Sequence, residues 1–281
     1  MGPILLTAAT DRTRYRLARI ILCTMVFGTV GCSTPARQPA AAQLSIVRST
    51  AAPVTPPSAI ANVGADGPPT WQPIATTVQG RPIRALTVGH GPHRVLFVGG
   101  IHGDEPEGSL TAAELPAAFT EAGLNEVASL TVIEDINPDG RAAATRGNSN
   151  GIDVNRNFPA ANFDATIAES GGEPLNQPES RALVETIDRV HPDLILVAHS
   201  WRGRQFINFD GPAREIAEKF SATTGLPVEE SSAFAPTPGS LGSYAGRDRG
   251  VPVLTIEVLR GTNPQAVWTS LKTALLDAIH G

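Results

Sequence analysis

The sequence predicts an α/β domain. Two observations carry this reading: from Trp71 onward, short apolar runs alternate with helix-length segments, and Gly, Pro and Asn clusters separate them. Arg84 to His90 and Arg94 to Val98 read as strands joined by the turn Gly91-Pro92. Glu105 to Glu121 follows as a helix and Leu130 to Ile136 as a strand. Asn137 to Gly172 is rich in Asn and Gly and is expected to be a loop, long enough for a functional role. A helix is expected over Pro178 to Val190, then a strand from Asp193 to Ala198 that ends at His199-Ser200-Trp201. The remainder reads as a short strand at Phe206 to Phe209, helices at Ala213 to Thr224 and around Ser240 to Arg247, a strand at Val251 to Val258, and a closing helix from Pro264 to Ile279. No internal repeat is visible, and residues 71–281 are expected to form one domain.

Residues 1–32 have the order of an export signal. Arg12, Arg14, Arg16 and Arg19 precede the apolar run Ile20 to Val30, which meets Gly31-Cys32 and is too short to span a bilayer stably. The chain is expected to be exported to the periplasm or cell envelope. Thr29-Val30-Gly31-Cys32 is similar to a lipobox, so Cys32 is a candidate lipid anchor and the expected link to a membrane. Both cysteines of the chain, Cys23 and Cys32, fall in this segment, so the body has no disulfide framework and depends on its core. Residues 33–70 are rich in Ala, Pro, Ser and Thr and read as a flexible tether. The whole chain has 22 basic and 27 acidic side chains; removing the four arginines and Asp11 of the signal leaves 18 against 26, a net charge of −8. Nucleic acid is therefore not an expected partner.

The chemistry is concentrated where apolar runs stop. Val95 to Val98 ends in Gly99-Gly100, after which His102 and Glu105 stand three positions apart, so one turn can aim an imidazole and a carboxylate at one point. His199 likewise follows an apolar run, and if the two strands are parallel both imidazoles emerge at one sheet edge. His90, His93, His191 and His280 are expected at the surface. His102, Glu105 and His199 make a two-histidine, one-carboxylate set that suits a catalytic zinc ion with one open position. Glu257 lies inside the apolar run Val253 to Val258, where an unpaired carboxylate is costly. It is either the partner of a buried arginine or the general base of a zinc hydrolase. Arg146, Asn155 and Arg156 in the long loop are candidates for holding a carboxylate and a developing oxyanion.

These residues carry a resemblance. HGDE at 102 to 105, NPDG at 137 to 140, GIDVNRNF at 151 to 158, AHS at 198 to 200 and TIEV at 255 to 258 stand in the order and spacing of the zinc carboxypeptidase family. INFDGPA at 207 to 213 and PTPGSLGSYAG at 236 to 246 resemble its bacterial murein peptide amidase branch. The resemblance implies a central mixed, mostly parallel twisted sheet with helices on both faces. It implies one zinc ion on His102, Glu105 and His199, a carbonyl-polarising Arg146, a substrate-carboxylate pair Asn155 and Arg156, and Glu257 as the catalytic base. It also implies a peptide or murein-peptide substrate with a free carboxylate, cut at the γ-D-glutamyl to diaminopimelate bond. Digestive members carry a mobile tyrosine over the substrate; Tyr244 matches another part of the pattern and receives no such role.

The expected activity is thus that of a zinc metallopeptidase of the carboxypeptidase or amidase type. An N-acyl amino acid deacylase shares the His-x-x-Glu ligand pair, but NPDG and NRNF favour peptides. A non-catalytic binder of wall peptides has no need of a buried base at Glu257.

Overall fold

The computed structural model describes residues 69–231 and 237–281. The export signal, Cys32 and nearly all of the tether lie outside the described residues. Among the described residues eight strands form one sheet: β1 (Gln72–Thr76), β2 (Pro82–Val88), β3 (His93–Val98), β4 (Ala128–Ile133), β5 (Leu194–Trp201), β6 (Phe206–Asp210), β7 (Val228–Glu230) and β8 (Val253–Leu259). They are arranged β1-β2-β4-β3-β5-β8-β6-β7. The central strands β4, β3, β5 and β8 are mutually parallel; β1, β2 and β6 run antiparallel to their inner neighbours, and β7 follows β6. The sheet is therefore mixed and mostly parallel, as expected.

The sequence explains the layering. Val95 to Val98 and Leu194 to Val197 are buried on both faces, as continuous apolar runs in a parallel centre must be. Alternate residues serve different layers. Phe97, Leu130, Leu196 and Ile256 pack with Leu115 and Phe119 of α1 (Ser109–Glu121), Phe220 of α4 (Arg214–Thr224) and Leu271 and Leu275 of α5 (Pro264–His280). Leu96, Ile133, Ile195 and Val253 pack on the other face with Leu183 and Ile187 of α3 (Pro178–Val190) and with Val154 and Phe158 of the long loop. Helices thus cover both faces. α3 begins with Pro178 at its first position, and α5 with Pro264 after Asn263, whose side chain accepts from the Gln265 amide at 2.8 Å.

Several boundaries differ from those the sequence predicts, each for a local reason. β1 and β7 have no strand signal in the sequence; one contains Pro73 and the other is only Val-Glu-Glu, so neither shows an apolar pattern. The long loop contains the short helix α2 (Pro138–Ala143), capped by Asn137 Oδ1 accepting from the Gly140 amide. The helix expected from Glu105 starts as a 3₁₀ turn at Pro106–Gly108 and becomes α-helical at Ser109, leaving Glu105 at the cap. The segment expected as a helix around Ser240 is a π-helix, Gly242–Asp248. β4 ends at Ile133, short of the expected Ile136, and β5 continues through His199 to Trp201. Although Gly91-Pro92 joins β2 to β3, the two are not paired; β4 lies between them.

The exit from β3 needs glycine. Gly100 has φ of 67°, and a Cβ there would collide with the Asp135 carboxylate, which accepts from the Asn137 amide at 3.0 Å and Arg141 Nε at 3.1 Å. Gly123 has a similar φ of 72° but nothing within 4 Å of its added Cβ. Gly123→Ala should cost about 1 kcal/mol of backbone strain, whereas Gly100→Ala should exceed it, about 2 to 3 kcal/mol, because the collision is added. Chemical denaturation of the two variants measures the difference; equal midpoints would show that Asp135 yields freely.

Candidate active site

The parallel register of the sheet centre builds the site. β3 and β5 are parallel, so the turn after β3 and the end of β5 meet at one sheet edge. His199 on β5 is directly beside Glu257 on β8, and alternation puts both side chains on the face shared with α3 and the long loop. His102 comes to the same place from the turn after Gly100, with its ring centroid 4.6 Å from that of His199. All three predicted donors converge: one ligand atom from each of His102, Glu105 and His199 lies within 4.8 Å of the others, and all three residues are buried.

Glu105 is the centre of this group. His102 Nδ1 is 2.9 Å from Oε1, and His199 Nδ1 is 2.9 Å from Oε2. The Ser200 amide donates to Oε2 at 2.9 Å, and Arg260 Nη2 to Oε1 at 3.0 Å. Burial alone would push this carboxyl up, but the hydrogen bonds and charges of the two histidines outweigh it and hold it far below the usual carboxylate range. Arg260 also donates to Asp104 Oδ2 at 2.8 Å, so one guanidinium grips consecutive acids of the turn.

On its other side His102 Nε2 is 3.1 Å from Asp153 Oδ1. The sequence alone assigns this aspartate no role, although it stands in GIDVNRNF. A carboxylate on the far ring nitrogen fixes the ring and leaves the near nitrogen for a metal. Two such imidazole nitrogens and a buried carboxylate fit a four-coordinate zinc site with an open position, so the donor chemistry of the residues present matches the ion. Asp153 is held below its usual range against the effect of burial by His102 and by the charges of Arg146 and Arg156.

A cavity of about 310 Å³ opens beside the donors. Arg146, Asn155, Arg156 and Glu257 all line it, so the structure brings every predicted site residue together. Arg146 is half exposed; its Nε and Nη2 lie 3.0 and 2.9 Å from Asp153 Oδ2, and Nη1 is 3.4 Å from Glu105 Oε1. Arg156 makes no ion pair among the described residues; Nη1 donates to the Asn155 carbonyl at 2.7 Å, and burial lowers its pKa. Asn155 Oδ1 accepts from the Leu241 amide at 2.9 Å, which leaves its Nδ2 as the available donor. Glu257 has a buried Oε2 without a hydrogen-bond partner, and burial pushes its carboxyl up despite the nearby histidines. A structural pairing of Glu257 with a buried arginine is not found among the described residues.

Residues to which the sequence alone gives no role also line the cavity. Asn208 and Asp210 share the face of Phe206 by strand alternation, and Thr255 shares that of Glu257. The period-2 pattern of Phe206 to Asp210 is the signal that could have found the first two. Trp201 stands at the rim, 53% exposed, edge-on to Phe206. Tyr244 is outside the lining; it stacks on Phe158, and its hydroxyl accepts from Arg249. His90, His191 and His280 are exposed, and His93 is half-buried, away from the cavity.

The model of the zinc carboxypeptidase family matches residues 69–232. Murein peptide amidase A of Escherichia coli K12 is 29% identical over 165 residues, covering 53% of this chain and 64% of that protein. The chain thus spans less than two thirds of that relative. Murein peptide amidase A of Vibrio campbellii is 28% identical over 182 residues, 59% of this chain and 69% of that one. The crystal structure of murein-tripeptide amidase from E. coli O157 superposes with a TM-score of 0.60 at 24% identity, over 78% of this chain and 94% of the other. Bovine thrombin-activatable fibrinolysis inhibitor gives 0.63 at 17% identity, over 75% and 88%. At these identities the structural matches establish the fold.

The raised Glu257 carboxyl has a measurable consequence in the metal-free protein. A carboxyl whose folded pKa lies above its unfolded value destabilises the fold once ionised; the penalty grows as pH rises from the unfolded value through the folded one. Glu257→Gln should therefore melt higher than the wild type at neutral pH, with the gain vanishing below the ordinary Glu range. Melting curves across pH read this; a variant less stable at neutral pH would reveal a structural partner for Glu257.

Proposed function

Because the chain belongs to the zinc carboxypeptidase family, we propose that it is a zinc-dependent hydrolase cutting an amide bond in a cell-wall peptide with a free carboxylate. The similarity to two proteins called murein peptide amidase A supports the wall-peptide reading. The bond put forward is γ-D-glutamyl to diaminopimelate. One observation carries the proposal: a single cavity presents a buried three-donor group, a carboxylate with an unpartnered oxygen, and a guanidinium free of ion pairs among the described residues.

His102, Glu105 and His199 would hold one zinc ion, which when bound supplies Lewis acidity to the scissile carbonyl and the attacking water. Glu257 takes the proton from the attacking water on its open Oε2 and hands it to the departing nitrogen. Burial, which raises its carboxyl in the metal-free site, favours the uptake of that proton. Arg146 donates to the carbonyl oxygen as negative charge grows there. The fork of Arg156, which makes no ion pair among the described residues, binds the terminal carboxylate, and Asn155 adds Nδ2. That anchor places the scissile bond and selects substrates with a free terminus.

Mass analysis of a muropeptide digest tests the bond, and Arg156 tests the anchor. Arg156→Lys keeps the charge but loses the fork, so KM should rise markedly. Amidating the terminal carboxylate should cost the wild type a comparable factor and the variant little more; equal losses in both proteins would remove Arg156 from the role. Glu257→Gln should lower kcat by about 10² to 10⁴-fold with KM little changed.

We further propose export with a lipid on Cys32, supported by the basic, apolar and small-residue order of residues 12–32. Cys32→Ser should release the protein from membranes without loss of turnover. Membrane-fraction mass spectrometry showing a different start and no acyl chain would sink the anchor.

A further inference from the structure

The loop that carries Arg146, Asp153, Asn155 and Arg156 is fixed by polar contacts, and two buried side chains remote from the cavity stand out. Asn148 is 3% exposed and uses its whole amide. Oδ1 accepts from the backbone amides of Asn150 at 3.0 Å and Ile152 at 3.1 Å; Nδ2 donates to Gln177 Oε1 at 2.8 Å and Glu179 Oε2 at 2.9 Å. Its backbone closes the same turn, donating to the Ile152 carbonyl at 2.9 Å and accepting from the Gly151 amide at 2.9 Å.

Glu179, in the first turn of α3, is fully buried and forms no ion pair among the described residues. Its Oε1 has no hydrogen-bond partner, and burial pushes its carboxyl up. A fold that keeps such a costly group on a packed helix uses it to specify something. Besides the backbone amides of Val78 and of Glu179 itself, its partner is the Asn148 side chain, two residues after Arg146 and five before Asp153. Gly147, Ser149, Asn150 and Gly151 offer no apolar side chain with which the turn could grip the core. The turn is therefore tied to the start of α3 by amide contacts, of which the one from Asn148 to Glu179 is the one made to a carboxyl.

We propose that Asn148 and Glu179 are positioning residues, whose buried contact fixes the turn from which Arg146 and Arg156 reach the cavity. The proposal rests on the substrate-carboxylate role given above to Arg156. It requires a donor at 148 facing an acceptor at 179, with the other face of residue 148 accepting twice from the backbone. Aspartate at 148 keeps those two acceptors but turns oxygen against oxygen at Glu179 and at Gln177. Glutamine at 179 then supplies the missing donor with the polarity reversed.

The test compares Asn148→Asp, Glu179→Gln and the double variant with the wild type. Hydrogen exchange at the Asn150 and Ile152 amides is measured together with KM and kcat on a free-carboxylate wall peptide and its terminal amide. Asn148→Asp should exchange faster at both amides and raise KM for the free carboxylate about 10-fold or more, since small misplacements of a clamp are that costly. The amidated peptide should lose less, because it does not use Arg156. Glu179→Gln alone should stay near wild type, and the double variant should recover part of the loss, the contact to Gln177 being unrestored. Wild-type exchange and KM in Asn148→Asp, equal losses on both peptides, or a double variant no better than the single would each overturn the proposal. If Asn148→Asp does not fold, Asn148→Ser removes the donor without adding charge and is held to the same exchange and KM outcomes. A wild type that turns over no wall peptide would sink the proposed function alone, because exchange reads the pair without substrate.

Discussion

The parallel register between β5 and β8 is the constraint on which the rest of the site depends. It sets His199 against Glu257, so a candidate metal donor and the proposed proton acceptor are neighbours before any loop is considered. Parallel strands can be adjacent in this way only with both faces covered, and the helices supply that cover. The β3 and β5 register then brings the His102 turn to the same edge. A slip of one residue in β8 would carry Glu257 to the layer of α1 and α5 and put Ile256 into the cavity.

The buried charges in and beside the cavity fall into two kinds. Glu105 and Asp153 are surrounded by donors, so their ionised forms are favoured even though burial works against them. Glu257 and Arg156 are the reverse: burial moves each toward its neutral form and outweighs the opposite charges nearby, because neither is in an ion pair among the described residues. The first kind holds geometry. The second leaves an acceptor and a donor unfilled, which is what a site requires if a water and a carboxylate are to be taken up in their place.

Much of this is legible in the sequence because the informative residues sit at the ends of apolar runs. Val95 to Val98 and Leu194 to Val197 are so continuous that their burial, and the positions of His102 and His199 beyond them, can be read directly. Glu257 stands out for the opposite reason, as an acid in an apolar strand. β1 and β7 are illegible because an edge strand needs little apolar pattern. The π-helix is illegible because its extra residue per turn leaves no trace in Gly242 to Asp248. Asp153 escapes a reading of the sequence because its role is a contact across 51 positions to His102, and spacing along the chain does not encode that.

Sheet and loop are held by different physics, and this divides the labour of the site. The donors from β5, β8 and the turn after β3 rest on apolar layers whose packing tolerates little displacement. The loop has only Val154 and Phe158 as fully buried apolar anchors; it is stitched instead by amides, with Asn157 Nδ2 donating to the Ser170 and Glu173 carbonyls while its Oδ1 accepts from Ser180. Amide contacts are directional, so each specifies a position rather than a volume. A loop built in this way can present Arg146 and Arg156 at fixed points without an apolar surface of its own. The residues that touch substrate in the proposed reaction can then change partners while the donors beneath them stay in register with the sheet.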